Sequence, residues 1–256
     1  MKLDKKTKLF IILGAFFITN ALVAEFIGVK LFSLEKVFGF EPLDFTLFGI
    51  EHLSFTMTAG VILWPVVFIM TDIINEYYGF KGVRLLSILA SIMIAYAFIG
   101  VSMGIEVPAN EMWKSNYQSA GIEDMQLAYK AVFGQGLWII IGSLVAFLVG
   151  QFIDVYVFHS LRKLSGSKML WLRSTGSTLV SQLIDSFVVL FIAFYIGAGF
   201  SLSWVLAIGL VNYIYKFAVA VLVTPLLYLI HHIIDSYLGE ELSHDMIENA
   251  NQEYEN

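Results

Sequence analysis

Long apolar stretches alternate with short polar ones along this chain. A membrane span needs ~20 mostly apolar residues. Six segments meet that requirement, roughly 9–32, 54–75, 83–105, 131–158, 174–198 and 203–231. Segment 33–53 is also apolar but is broken by Glu35, Lys36, Glu41, Pro42, Asp44, Glu51 and His52. It is too charged to span and reads as a re-entrant or interfacial hairpin. Segment 106–130 carries Pro108, Glu111, Lys114, Asn116, Glu123, Asp124 and Lys130, and predicts an extramembrane loop with room for a short helix. The pattern as a whole predicts an all-α membrane protein. A six-transmembrane-helix bundle occupies 1–234, and 235–256 form an acidic, soluble, partly disordered cytoplasmic tail.

Composition agrees. The chain is 58% hydrophobic and 14% charged, against ~45–50% and ~25% for a soluble domain, so a polytopic membrane protein is expected. There are no cysteines, which excludes disulfides and thiolate metal sites. The net charge of −6 comes mostly from the tail, where Asp235, Glu240, Glu241, Asp245, Glu248, Glu253 and Glu255 meet no Lys or Arg. No basic face remains for nucleic acid. The N-terminal Lys2, Lys5, Lys6 and Lys8 followed by an apolar run resemble a signal peptide. Leu22-Val-Ala24 is a poor cleavage site, and the run continues past it, so an uncleaved first span is expected.

Lys/Arg bias sets orientation. One side holds Lys2, Lys5, Lys6, Lys8, Lys81, Arg84, Arg162, Lys163, Lys168 and Arg173; the other holds Lys30, Lys36, Lys114 and Lys130. Both termini are therefore expected in the cytoplasm.

Polar residues inside the spans are costly, roughly 2.5–3.5 kcal/mol for an ionised group, and usually face a cavity or a partner. Two spans carry the same insert, Val149-Gly-Gln151-Phe-Ile-Asp154 and Val180-Ser-Gln182-Leu-Ile-Asp185. Residues three apart lie about 60° apart around a helix, on one face. The echo is weak evidence for duplication. Asp154 falls near a span end, whereas Asp185 lies about 16 Å into its span, near the midplane. Asp72, Asn75 and Glu76 share a face of the second span, where Pro65 is placed to kink the helix. Glu76 could instead simply reach cytoplasmic water. Asp154 could pair with Arg162 or Lys163 at the surface. Thr175, Ser177, Thr178 and Ser181 could be plain helix–helix glue. Asn212 and Lys216 are one turn apart in the last span. A lysine this deep needs a counter-charge, and Asp185 is the simplest one; a structural ion pair that only fixes packing is the alternative. In the first span, Glu25 reads as facing an outer partner or vestibule.

No voltage-sensor arginine series, selectivity filter, H-E-x-x-H or G-x-S-x-G motif occurs, and His231-His232 reads as interfacial. An acidic, amide-rich and aromatic-rich cavity suits a planar heterocycle. A carboxylate accepts two hydrogen bonds from a guanine-like edge, amides satisfy the rest, and aromatics stack on the faces. Amino acids, organic cations and protons also remain open on these grounds.

Four motifs carry a resemblance: T-D-I-I-N-E-x-x-G (Thr71 to Gly79), G-Q-x-x-D-V-x-V-F (Gly150 to Phe158), S-T-x-x-S-Q-x-x-D (Ser177 to Asp185) and N-Y-x-x-K (Asn212 to Lys216). Together they resemble the queuosine precursor transporter family, also called vitamin uptake transporters. The resemblance implies a six-helix inner-membrane importer of 7-deazaguanines, such as 7-cyano-7-deazaguanine or 7-aminomethyl-7-deazaguanine, that serves tRNA queuosine salvage. It also implies kinship in fold with the substrate-binding subunits of energy-coupling-factor transporters, and no cofactor, metal or catalytic residue. Asp72, Gln151, Asp154, Gln182, Asp185, Asn212 and Lys216 fall on family motif positions; Asn75 and Glu76 match one branch. The partners implied are a small 7-deazapurine and the lipid bilayer, with homodimerisation left open. Two other readings compete. One is a binding subunit for a separate energising complex, which small residues at Ala24 and Gly28 would suit. The other is an intramembrane hydrolase using Asp72 with Asp154.

Overall fold

The computed structural model describes residues 3–165 and 169–252. Lys2 and Lys168 of the charge argument, and Glu253 and Glu255 of the tail, lie outside them. Among the described residues, five helical stretches are long and apolar enough to cross a membrane: Lys5–Ile27, Trp64–Glu106, Met125–Leu164, Leu170–Ile196 and Leu202–Leu238.

The first helix, α1 (Lys5–Ile27), is capped by the Asp4 side chain, which accepts from the Thr7 N–H. Two expected spans then fall within one long helix, α3 (Trp64–Glu106), whose backbone is non-helical at Gly79, with φ 65° and ψ −169°. The contacts of α1 show what happens there. Its C-terminal end meets Gly60, whose missing side chain lets Ala24 and Gly28 approach. Its N-terminal end meets Tyr78, which donates its hydroxyl to the Lys6 carbonyl at 2.7 Å. Beyond Gly79, Leu86 lies against Gly14 and Phe98 against Phe26. The leg before Gly79 therefore runs antiparallel to α1, and the leg after it parallel. Gly79 reverses the chain. Its φ/ψ region is open only to glycine, and a side chain there costs about 1–3 kcal/mol. Gly79→Ala should lower the melting temperature of the purified protein accordingly.

Pro65 does not kink a span. It lies in the first turn of α3, where its missing N–H breaks no helical bond. The start expected at 54 is also displaced, because Thr56–Thr58 is extended. This strand (β4) pairs antiparallel with Leu31–Ser33 (β1), and within that pair Phe45–Leu47 (β2) pairs with Ile50–Leu53 (β3). A short helix, α2 (Leu34–Val37), follows β1. The expected hairpin is thus present. One of its interrupting charges is structural: Glu35 accepts hydrogen bonds from the Phe55 N–H at 2.7 Å, the Leu43 N–H at 3.3 Å and the Ser33 hydroxyl at 2.8 Å. Burial pushes the Glu35 carboxyl up, but these bonds outweigh it and hold it below the ordinary value of 4.5. A group depressed in the fold stabilises it above the unfolded value, and that contribution is lost as pH falls through the folded one. Amide exchange across 33–58 is expected to speed up below about pH 4.5, while the long helices stay protected.

The loop after α3 holds α4 (Glu111–Lys114) and α5 (Met125–Phe133), as its polarity suggested. Then α6 (Leu137–Ser165) packs along α7 (Leu170–Leu190), and α7 along α8 (Leu202–Leu238). A π-helical turn, Phe191–Ile196, ends α7. Trp64 and Phe17 meet on Phe147 of α6, with ring centroids 5.7 Å and 6.1 Å from it, and tie the bundle centre. Apolar side chains such as Ile12, Ile99 and Leu222 are exposed, at 62%, 61% and 76%, as a lipid-facing surface requires.

Expected disorder in the tail is not found over Glu240–Gln252. These residues form α9, which lies on α3. Leu242, Met246, Ile247 and Ala250 recur at helical spacing, and Met246 and Ala250 are buried. Counting charges hid this apolar stripe. Lys5 closes the bundle by donating to the carbonyls of Tyr237 (2.7 Å) and Leu238 (3.1 Å) at the end of α8.

Candidate functional site

A pocket lies between the first leg of α3, α7 and α8. Its lining combines apolar and aromatic side chains, Trp64, Phe68, Val223 and Leu227, with polar ones, Asp72, Ser174, Thr178, Gln182, Lys216 and Thr224. Three of the nine expected site residues line it directly: Asp72, Gln182 and Lys216.

Asp72 is 2% exposed. Ser174 donates its hydroxyl to one oxygen of Asp72, and the other oxygen, Oδ1, has no hydrogen-bond partner among the described residues. The amide oxygen of Gln182 is likewise buried without one. A carboxylate and an amide, each with one buried acceptor that meets no donor among the described residues, thus belong to residues lining one pocket. Such atoms are costly until a ligand donor meets them.

Behind these residues lies a second set. Asp154 is wholly buried, accepts from the Ser181 hydroxyl at 3.0 Å, and is adjacent to Asp72. It does not line the cavity. Gln151, also wholly buried, accepts from the Thr71 hydroxyl at 2.7 Å, which fixes the turn that carries Asp72. The twin Q-x-x-D inserts thus split their roles. Gln182 faces the cavity and Gln151 supports it; Asp154 backs Asp72 and Asp185 holds Lys216.

The expected Lys216–Asp185 pair is present at 2.5 Å, with side chains 14% and 19% exposed. Asp185→Asn alone strands a buried ammonium, and breaking such a pair typically costs about 3–5 kcal/mol. The double variant Asp185→Asn/Lys216→Gln should recover much of the lost transport. Equal loss in both would mean that Asp185 contacts the substrate itself. Asn212, one turn before Lys216, is half-buried and does not line the cavity.

Glu76 does not reach water. It is 2% exposed and ion-paired with Arg162 of α6 at 3.1 Å and Arg173 of α7 at 2.6 Å. Arg162 therefore serves Glu76 and not Asp154; eight residues further along α6, it lies ~12 Å away along the axis. Asn75 is buried on the same helix face and outside the cavity lining. Neither the joint role of the two arginines nor the Trp64–Phe68 lining was foreseen. The signal was an arginine at each end of the short 163–172 connection, opposite a lone glutamate in the preceding span.

Glu25 finds its partner in Ser143 of α6, which donates to its carboxylate, while the Gln135 side chain donates to its carbonyl at 3.0 Å. Ala24 and Gly28, a candidate surface for a partner helix, are used internally by Gly60. His231 bonds Asp235 at 2.9 Å, and Asp235 also accepts from Tyr77 and from Ser243 of α9. Among the described residues no group of three metal-ligating side chains forms. The meeting of Asp72 with Asp154 fits a hydrolytic dyad in distance alone. Asp154 is sealed from the cavity, so no water there can reach both carboxyls.

Span-length helices around a pocket with polar and aromatic lining suit a membrane transporter. The family described as "Putative vitamin uptake transporter" matches residues 58–230, and the chain belongs to it. The chain is 33% identical over 181 residues to a "Probable queuosine precursor transporter" of Bacillus subtilis (strain 168), covering 70% of this chain and 73% of that one. It is 30% identical over 182 residues to a protein of the same name from Haemophilus influenzae, covering 70% and 71%. It is 29% identical over 173 residues to the "Queuosine precursor transporter" of Escherichia coli (strain K12), covering 67% and 71%. No solved structure matches. The chain is a multi-pass membrane transporter and not an enzyme. Every cavity residue named above falls within the family match; the 31–58 hairpin, but for its final residue, and α9 fall outside it.

Proposed function

We propose that the chain imports queuosine precursors, 7-deazaguanines such as 7-cyano-7-deazaguanine or 7-aminomethyl-7-deazaguanine, across the inner membrane for tRNA queuosine salvage. The observation that carries this is a single pocket lined by Asp72, Gln182, Trp64 and Phe68, in which the carboxyl and the amide each keep an acceptor without a donor among the described residues. A guanine-like ring presents N1–H and an exocyclic NH2 on one edge. That edge meets Asp72 and Gln182, while the two aromatic residues cover a face. Lys216 and the Thr178 hydroxyl supply donors for the ring carbonyl. The names of the three relatives support the same substrate class.

In this reading the two legs of α3 count as two of six spans, as in the substrate-binding subunits of energy-coupling-factor transporters. Both termini are cytoplasmic. Asp72, Gln182 and Lys216 touch the substrate; Gln151, Asp154 and Asp185 position them. Glu76, Asn75 and Asn212 hold the frame. A strain unable to make the precursor, and lacking its own importer, should regain queuosine in tRNA when it expresses this chain and receives 7-cyano-7-deazaguanine. No recovery at normal membrane expression would refute the proposal.

A further inference from the structure

Two buried carboxyls in contact are not needed merely to hold a neutral heterocycle. Asp72 and Asp154 are adjacent, 2% and 0% exposed, and each keeps one oxygen, Oδ1 and Oδ2, that meets no donor among the described residues. Their other oxygens accept from Ser174 and Ser181. Hydroxyl donors help, but two adjacent carboxylates out of water cannot both stay ionised. One proton between them satisfies both open oxygens.

The charged groups around the pair come from every packed element. Glu76 of α3 pairs with Arg162 of α6 and Arg173 of α7. Asp185 and Lys216, from α7 and α8, neutralise each other, and Glu25 of α1 faces Asp185 and Ser143. His159 of α6 and His231 of α8 lie to the cytoplasmic side in the proposed orientation.

We propose that the Asp72–Asp154 pair is a proton site and that a proton travels inward with each substrate molecule, a coupling that rests on the import function argued above. A proton from external water enters through the cavity that Asp72 lines and forms an O–H bond on the pair. The substrate's ring donors then claim Asp72 and leave that proton on Asp154. The loaded site carries one negative charge and can close. On the inner side, substrate and proton leave together. The emptied, deprotonated site then returns to the outer side to take up the next proton.

The test uses purified full-length chain in liposomes with radiolabelled 7-cyano-7-deazaguanine. Counterflow at equal internal and external pH measures carriage itself. With the outside one pH unit more acidic, one proton per substrate gives about tenfold accumulation, abolished by a protonophore. Trapped pyranine should report acidification on substrate entry. Asp154→Asn, checked for folding by its melting curve, should lose the gradient response. Counterflow that ignores the pH gradient, or that a sodium gradient alone drives, would overturn the coupling and leave the substrate assignment standing. No counterflow at all would overturn the substrate assignment, and the coupling with it. The wild-type gradient and pyranine readings decide the matter even if the variant fails to fold.

Discussion

Glu76→Gln is expected to be the most destabilising single change in the bundle. The carboxylate lies between Arg162 and Arg173, at 3.1 Å and 2.6 Å, with all three side chains nearly sealed from solvent. The substitution keeps the shape and removes the charge. Two guanidiniums then face each other across a neutral amide, with side chains too buried for solvent to take over their hydration fully. Breaking a buried ion pair from one side costs about 3–5 kcal/mol, and here one residue serves two partners. Protein stability is commonly about 5–15 kcal/mol in total, so little folded protein should survive mild heating. Size-exclusion recovery after a temperature series in detergent measures this. Glu111→Gln is the matched control, because Glu111 pairs with Lys114 at 2.7 Å but is 85% exposed. Exposed pairs contribute only about 0–1 kcal/mol, so that variant should melt with the wild type. If the two variants melt alike, the triad does not hold the three helices together.

Asp72→Asn should have the largest effect on binding. The amide keeps one acceptor but presents donors toward the N1–H and NH2 of the ring. A hydrogen bond to a charged acceptor is lost, worth about 1.5–3 kcal/mol, which corresponds to roughly one to two decades of affinity. The contact with Asp154 persists in altered form, so the fold should be affected far less than by Glu76→Gln. Equilibrium binding of 7-cyano-7-deazaguanine, with the melting curve alongside, separates the two effects. Gln182→Leu should show the same direction with a smaller loss, since a neutral acceptor is removed. An Asp72→Asn protein that binds within threefold of wild type would place the substrate edge elsewhere.

Much of this could be read from the chain, for specific reasons. Polar residues inside apolar runs are costly enough that each must have a purpose, so Asp72, Gln182 and Lys216 stood out before any coordinates. The Lys216–Asp185 pair followed from one buried cation and the nearest acid at similar depth. Three things were not legible. The hairpin at Gly79 depends on a backbone angle, and a single glycine between two apolar stretches reads as an ordinary polar gap. The Glu76 triad joins residues up to 97 positions apart, and each arginine taken singly looks like a membrane-surface charge. The fold of α9 depends on a narrow apolar stripe that net charge conceals. Trp64 and Phe68 were hidden differently: among so many aromatics, nothing local distinguishes the two that face the cavity from those that face lipid.

The reversal at Gly79 also bears on how the protein is made. Both legs of α3 embrace α1, so all contacts of this three-rod unit lie within the first 106 residues. During synthesis it can pack as soon as Glu106 clears the insertion machinery, before any residue of α6, α7 or α8 exists. The cavity has no such independence. Trp64, Phe68 and Asp72 belong to the early unit, while Ser174, Gln182 and Lys216 arrive with the late one. The binding site is therefore completed only when the second half docks on the first. The contact of Lys5 with the last carbonyls of α8 is available only after nearly the whole chain has been inserted.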